Sequence, residues 1–420
     1  MFDLLNSYLD FINNNIYLLV ALFLFFSVLL VSYNFKNVLV LLLLSSYNPI
    51  LFIIINSLGF EYTIIRVLFT VYFSLLTFVF IIIKKKKIKF RKTFNFIVLF
   101  ISFFGLISAF LFQNSLTEIL ASLFLIYELV FSIFIHDNLI NSKNSDKMEQ
   151  NYLNTSIIVS ICNFILFIYL NKTFYFKATI LGLDIGRYTD LFIPIIWVIL
   201  LINIFNNKKI NLIKFLKLIF ITLLIILGLF RSIWLAIFIV ALLVLFNKDL
   251  GRKFILNKKF LTLVITSCIF SFLGIYFFYP NIFDVILDRT IGGGLSESSS
   301  LGGRYLANIS VLNEVFSFPY LITGHGLGSE FTNFVTKVAF PISSSPNFIL
   351  FLLHQFGIIV FSIILYFSFK LLQITKKNKD YKLYYVFICA IITSSFFPAF
   401  YHFPILFIFG FYYSINFKLN

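Results

Sequence analysis

Apolar runs alternate with short polar turns along almost the whole chain. Runs of roughly 17 to 25 apolar residues can cross a bilayer as helices, whose backbone hydrogen bonds are satisfied internally. The pattern predicts about 12–13 spans. They lie at 16–35, 38–58, 62–83, 94–113, 116–136, 153–171, 189–205, 211–229, 232–247, 260–279, 347–370, 383–397 and 403–417. The sequence therefore predicts an all-α polytopic membrane protein.

Residues 280–346 interrupt this pattern with one long polar insert rich in Gly, Ser and Pro. Loops of such length are uncommon in compact proteins and are usually functional. We predict one integrated membrane domain in three parts, with helices in residues 1–279, a large loop in 280–346 and further helices in 347–420. The loop is where we expect the chemistry.

Composition narrows the class of protein further. Hydrophobic residues make up 60% of the chain and charged residues only 12%, against about 25% charged residues in an ordinary soluble domain. The three cysteines, Cys162, Cys268 and Cys389, lie in separate apolar runs and form neither a metal-binding spacing nor a disulfide pattern. The net charge of +16 comes from turns beside apolar runs rather than from one continuous basic face. We therefore expect no nucleic-acid partner.

Lysine density predicts which side each turn faces. If the turn at 84–92 is cytoplasmic by the positive-inside rule, alternating spans place the Lys-rich turns at 137–152, 206–217, 247–259 and 370–382 on the same side. The insert then faces outward. We expect the protein in the cytoplasmic (inner) membrane, with the loop extracytoplasmic.

Arginine is distributed differently from lysine. Only seven of the basic residues are Arg, and five of these fall on the predicted outer side: Arg66, Arg187, Arg231, Arg289 and Arg304. A guanidinium binds phosphate or carboxylate through two parallel hydrogen bonds, whereas Lys is a flexible point charge. The bias indicates an anionic ligand outside. The alternative is that these side chains reach lipid headgroups or pair with nearby acidic residues.

Three segments resemble the O-antigen polymerase and O-antigen ligase superfamily of bacterial surface-polysaccharide assembly. They are RSIWLA (231–236), GGRYLANISVLNEVFSFPYLITGHGLGSEF (302–331) and SPNFILFLLHQFGIIVFSIILYF (345–367). The second is similar to the family's Arg followed by Gly-x-Gly-x-Gly in a large external loop. The third departs from the family, because Pro346 stands where ligases often have His before Asn347. This departure favours a polymerase over a ligase.

The resemblance implies transfer of a glycan from polyprenyl pyrophosphate to a sugar hydroxyl. Negative charge grows on the leaving diphosphate, and fixed guanidinium groups stabilise such charge. We predict catalytic roles for Arg231, Arg289 and Arg304, and for His325 as a candidate base. His402 is a further candidate for the base, whereas His354 is predicted to lie about two turns into the following helix, away from the mouth of the site. No Asp-rich metal motif occurs on the outer side, so we expect neither a metal nor another cofactor.

A second group of residues is predicted to bind substrate: Arg187, Ser232, Tyr305, Gly324, Gly326, Asn347 and His402. Gly324 and Gly326 have two open interpretations, since they allow backbone amides to approach an anion or allow the loop to pack tightly on helices. The expected partners are polyprenyl-pyrophosphate-linked oligosaccharides, membrane lipid and a chain-length regulator. Ligase-type transfer, transport of lipid-linked oligosaccharide and a non-catalytic scaffold are the alternatives.

Overall fold

A computed structural model describes residues 91–139, 145–171, 178–180, 183–186, 193–206, 212–227, 231–250, 300–332, 339–341, 347–396 and 403–417. This part of the chain is mostly helical. The predicted spans at 16–35, 38–58, 62–83 and 260–279 lie outside it.

The helices and strands follow in chain order. They are α1 (Lys92–Leu111), α2 (Leu116–Leu139), α3 (Ser145–Asn171), β1 (Ala178–Ile180), β2 (Leu183–Gly186), α4 (Ile193–Asn206), α5 (Leu212–Leu227), α6 (Arg231–Phe246), α7 (Ser300–Val315), α8 (Tyr320–Thr323), β3 (Glu330–Thr332), β4 (Ala339–Pro341), α9 (Phe348–Lys377), α10 (Tyr381–Phe396) and α11 (Phe403–Asn416). Each strand pair is a small antiparallel hairpin, which apolar periodicity did not predict.

Among the described helices, α9 is the one that is both long and apolar enough to cross a membrane. Shorter apolar stretches occur at Asn95–Leu111, Ile193–Asn206, Ile233–Phe246 and Tyr381–Ser395. One helix of this kind also occurs in the core of soluble proteins, so the number of crossings stays a prediction.

The helix α4 lies at the centre of the largest core. Every residue from Ile193 to Phe205 is buried, as expected of a helix that is apolar around its whole circumference. It packs against α5, α6 and α10, and α10 also packs against α9 and α11.

Polar contacts distinguish the two ends of the bundle. At one end, Arg91 before α1 pairs with Asp137 near the end of α2, and Lys382 in α10 pairs with Glu149 in α3. At the other end of α1, about 30 Å away, Asn114 donates to carbonyl groups of the insert. Among the described residues, the basic side chains Arg91, Lys217 and Lys382 thus lie at one end, which we call the Lys-rich end, and the insert contacts the other. Which compartment each end faces stays a prediction.

Candidate functional site

The GHGLGSEF run (Gly324 to Phe331) is fixed between α1, α2 and α9. Gly357, with φ 66° and ψ 179°, breaks α9, and the carbonyl groups just before it accept bonds from the insert instead of from their own helix. His325 N–H donates to the His354 carbonyl at 2.7 Å, and Gly326 N–H donates to the Gln355 carbonyl at 3.0 Å. The kink in α9 is therefore the attachment point of the insert.

The α1–α2 hairpin holds the same run from the other side. Leu327 N–H donates to the Gly105 carbonyl at 3.1 Å, and Gly328 N–H donates to Ser122 Oγ at 3.1 Å. The Asn114 amide donates to the carbonyl groups of His325 and Leu327, each at 2.9 Å. The run is thus bonded to three helices that are distant from it in sequence.

The glycines of this run serve close packing. Gly324, Gly326 and Gly328 all have φ between 70° and 83°, a region that side chains disfavour. A Cβ at Gly324 would overlap the backbone of Gln355, and one at Gly326 would overlap the backbone of Ala109. The N–H groups of both residues already donate to carbonyl groups of the protein. Of the two interpretations of these glycines, the geometry shows packing on the helices.

Ser329, His354 and Glu314 form a chain of hydrogen bonds that runs from the interior of the protein toward its surface. Ser329 Oγ lies 2.9 Å from His354 Nδ1, and His354 Nε2 lies 3.1 Å from Glu314 Oε2. The other carboxylate oxygen of Glu314 accepts from Thr332 N–H at 2.7 Å. His354 has no exposed surface, whereas the Glu314 side chain is 27% exposed. Glu314 is therefore the end of this chain of hydrogen bonds that solvent or a ligand reaches.

The charge of Glu314 orients the ring of His354. An ionised carboxylate only accepts hydrogen bonds, so Nε2 of His354 carries a hydrogen that it donates to Glu314. Partial burial alone would raise the pKa of Glu314. The hydrogen bonds from His354 and Thr332 N–H outweigh burial and lower the pKa below its ordinary value. Glu314 is therefore ionised near neutral pH.

His325 lies between two rings. Its imidazole stacks on Tyr320 with centroids 3.9 Å apart and on His354 with centroids 4.1 Å apart. Burial lowers the pKa of His325 to about 4. Its Nδ1 is buried and has no hydrogen-bonding partner among the described residues. His325 is therefore uncharged near neutral pH, and this nitrogen is shielded from solvent.

Glu314, His325 and His354 each offer one ligand atom, all within 4.8 Å of one another. The two imidazole planes are only 7° from parallel and are stacked, so their in-plane lone pairs do not converge on one point. Both nitrogens of His354 are also hydrogen bonded. This geometry does not favour a shared metal ion, and the metal independence of the reaction stays a prediction.

The structure places part of the predicted site. Arg231 is the first residue of α6 and Arg304 lies in the second turn of α7, but their side chains and that of Ser232 are outside the described part. Arg187, Arg289 and His402 lie wholly outside the described residues.

Two other predicted residues are described in full. Tyr305 is exposed. Asn347 caps α9, and its side-chain oxygen accepts from Ile349 N–H at 2.9 Å and from Leu350 N–H at 3.3 Å. This bond is that of a helix N-cap. Asn347 therefore has a structural task that the sequence did not predict.

Backbone positions bring two of the arginine sites to one end of the bundle. The far end of α6 contacts α10 near its start, where Asn247 donates to the Tyr385 hydroxyl, and this is the Lys-rich end. Arg231 begins α6, about 24 Å away along the helix. The helix α7, which carries Arg304, packs on α9 close to the anchored insert. Both arginines thus belong to the end opposite the lysines.

Sequence reasoning singled out neither Glu314 nor Ser329 as a functional residue. Glu314 is 40 residues from His354 and Ser329 is 25 residues from it, so no local spacing indicates the contact. A Glu inside the insert and a His in the helix that follows it were the one available signal.

No family model, curated protein or solved structure matches this chain.

Proposed function

We propose that the chain is a polytopic membrane glycosyltransferase that joins polyprenyl-pyrophosphate-linked oligosaccharide repeat units on the outer face of the cytoplasmic membrane. It acts as a polysaccharide polymerase. The observation that carries this proposal is the position of Arg231 and Arg304, whose helices place both residues at the end of the bundle opposite Lys217 and Lys382.

The chemistry follows from the leaving group. The hydroxyl oxygen of the acceptor sugar forms a bond to the anomeric carbon as the bond from that carbon to the pyrophosphate oxygen breaks. The electron pair departs with the pyrophosphate, and Arg231, Arg289 and Arg304 stabilise its charge. A diphosphate is already a good leaving group, so the cations contribute more than a base does.

The anchored insert supports this proposal. A catalytic cation must be held in place to stabilise charge without reorganisation. The hydrogen bonds of the GHGLGSEF run to Gly105, Ser122 and His354 fix the insert on three helices. The helix α7, which carries Arg304, also packs on α9. Contacts with the bundle therefore fix its position, in addition to its connection along the chain.

A lipid-linked oligosaccharide transporter is the second candidate, and the broken helix α9 is the observation in its favour. Transporters often use broken helices whose free carbonyl groups coordinate substrate or ions. In this chain the carbonyl groups of His354 and Gln355 accept from insert amides. Because these carbonyl groups already accept hydrogen bonds from the insert, they favour a role in fixing the loop rather than in coordinating a transported ion.

Purified protein in detergent, supplied with lipid-linked repeat units, distinguishes these functions. Elongation without a sealed compartment requires a transferase, and it should continue in EDTA because no metal is expected. Arg231→Ala and Arg304→Ala should each reduce elongation at least about 100-fold. Lys at either position should restore little, since it lacks the planar fork.

The matched control is Arg252→Ala, which removes an arginine from the turn at 247–259 on the predicted cytoplasmic side. Its activity should equal that of the unaltered protein. Normal product lengths in both Arg231→Ala and Arg304→Ala, at normal membrane abundance, would refute the proposal. Loss of activity in EDTA would refute its metal-independent form.

A further inference from the structure

We propose that Glu314 is the catalytic base of this transferase, which removes the proton from the acceptor hydroxyl, and that His354 and Ser329 position it. This inference rests on the proposed function. It assigns the base that the sequence left open between His325 and His402.

The carboxylate of Glu314 is fixed from two directions. His354 Nε2 holds one oxygen at 3.1 Å, and Thr332 N–H of strand β3 holds the other at 2.7 Å. Each carboxylate oxygen has two lone pairs, so lone pairs remain for a hydroxyl on the exposed side. A carboxylate held in this way needs no change of side-chain rotamer when the substrate binds.

The buried part of this chain of hydrogen bonds keeps that geometry. His354 is fully buried and Ser329 is 3% exposed, so neither is placed to touch a sugar. The Ser329 hydroxyl occupies His354 Nδ1 at 2.9 Å, and this contact leaves Nε2–H directed at Glu314. Orientation of an acid–base residue by a second and third group recurs in many catalytic sites.

The other described histidine at this place is a poorer candidate. His325 is enclosed by the rings of Tyr320 and His354, and its Nδ1 is buried.

Glu314 also lies within reach of the proposed diphosphate site. It stands ten residues after Arg304 in α7, which is about 15 Å along the axis, and both side chains are long. In the transfer, the attacking oxygen and the departing diphosphate lie on opposite sides of one anomeric carbon, so the two long side chains must reach toward each other across that separation. One helix would then present the cation to the leaving group and the carboxylate to the nucleophile.

The proton balance is simple. The acceptor hydroxyl gives its proton to Glu314 as its oxygen bonds to the anomeric carbon, and the electron pair of the broken bond leaves on polyprenyl pyrophosphate. Glu314 then releases the proton to water. No oxidant, reductant or further reactant is needed.

The test is the elongation assay with Glu314→Gln, which keeps the size and one acceptor oxygen of the side chain but removes the base. The turnover number should fall about 10²- to 10⁴-fold, while binding of the lipid-linked donor stays unchanged. Arg304→Ala should instead weaken donor binding as well. Glu330→Gln, at an exposed carboxylate in the same insert, is the matched control and should retain full activity.

Two substitutions of His354 test whether it positions Glu314. His354→Gln keeps a side-chain N–H for Glu314, whereas His354→Ala removes it, so Gln should retain more of the turnover number with little change in KM. The pH profile separates Glu314 from a base with the ordinary histidine pKa. Turnover should stay level as pH falls from 8 to about 5.5, because the hydrogen bonds to Glu314 hold its pKa below the ordinary value, whereas a histidine of ordinary pKa would give a decline near pH 6.5.

The results of these assays distinguish failure of the Glu314 assignment from failure of the proposed polymerase function. Failure of the unaltered protein to elongate would refute the proposed function itself. Elongation that is lost in Arg231→Ala but unchanged in Glu314→Gln would refute only the base. If Glu314→Gln lowers membrane abundance, Glu314→Asp retains the charge and withdraws it by one methylene. Unchanged turnover in that variant would equally refute the base.

Discussion

Gly326 meets the backbone of α1 more closely than any side chain allows. Its φ is 83°, and a Cβ there would overlap Ala109. We expect Gly326→Ala to lower the free energy of unfolding by at least about 2 kcal/mol, because it combines backbone strain with displacement of the insert from α1. Unfolding in mixed micelles measures this loss.

Gly303→Ala is the control for Gly326→Ala, because Gly303 lies within α7, where Ala is the preferred residue. It should stabilise the helix by up to about 1 kcal/mol. Equal stability of Gly326→Ala and the unaltered protein would show that the insert does not pack on α1 as described.

Arg91 and Asp137 join the ends of α1 and α2. Two bonds of 2.6 Å link the guanidinium to the carboxylate, with side chains only 10% and 4% exposed, and the cation lies 4.9 Å from the Tyr413 ring centre in α11. Removal of one partner leaves a buried charge uncompensated. We expect Arg91→Ala or Asp137→Ala to cost about 3–5 kcal/mol in unfolding free energy. The double variant should cost less than the sum of the two.

The exposed pair Lys379–Asp249 provides the comparison. Its side chains are 71% and 47% exposed, with the charged atoms 3.2 Å apart. Lys379→Ala should cost less than about 1 kcal/mol. A loss at Arg91 no larger than this would contradict the description of its pair as buried.

Hydropathy located the described helices outside the insert, because an apolar run is a local property. It did not predict α7 (Ser300–Val315) or α8 (Tyr320–Thr323), which lie in residues that were predicted to be loop. The predicted span 403–417 corresponds to α11 (Phe403–Asn416), and 116–136 corresponds to α2 (Leu116–Leu139). The observed bounds of a helix differ from the predicted span where the helix continues beyond its apolar residues. The helix α3 begins at Ser145, eight residues before the predicted span, because its first turns are polar. The helix α9 likewise continues from 370 to Lys377.

The candidate site was far less predictable. Nothing local marks Gly357 as the break in α9, since one glycine in an apolar helix is usually tolerated. The contacts of His354 with Glu314 and Ser329 depend on that break and on the path of the insert. Packing between segments distant in sequence decides such contacts, and periodicity does not report it. The arginine bias remained visible because charge type is a property of composition.

The described part of the molecule has two chemically different ends. Beyond the kink, residues 358–377 of α9 rise about 30 Å; the stretch 358–369 carries no charge, and Lys370 begins the basic last part of the helix. The insert is attached before this stretch, and Lys376 and Lys377 lie at its end. If α9 crosses the membrane, the lysines and the insert must face opposite compartments.

Cysteine labelling in intact cells tests this arrangement. Ser317 is exposed in the insert, and Lys379 is exposed in the turn between α9 and α10. In a variant whose three native cysteines are replaced, Ser317→Cys should react with an impermeant maleimide added outside. Lys379→Cys should react only after the membrane is opened, because an ionic reagent does not cross hydrocarbon. Reaction of both from outside would place the two ends in one compartment and exclude a crossing by α9. The reversed pattern would put the insert in the cytosol, where the proposed polymerase could not work on the outer face.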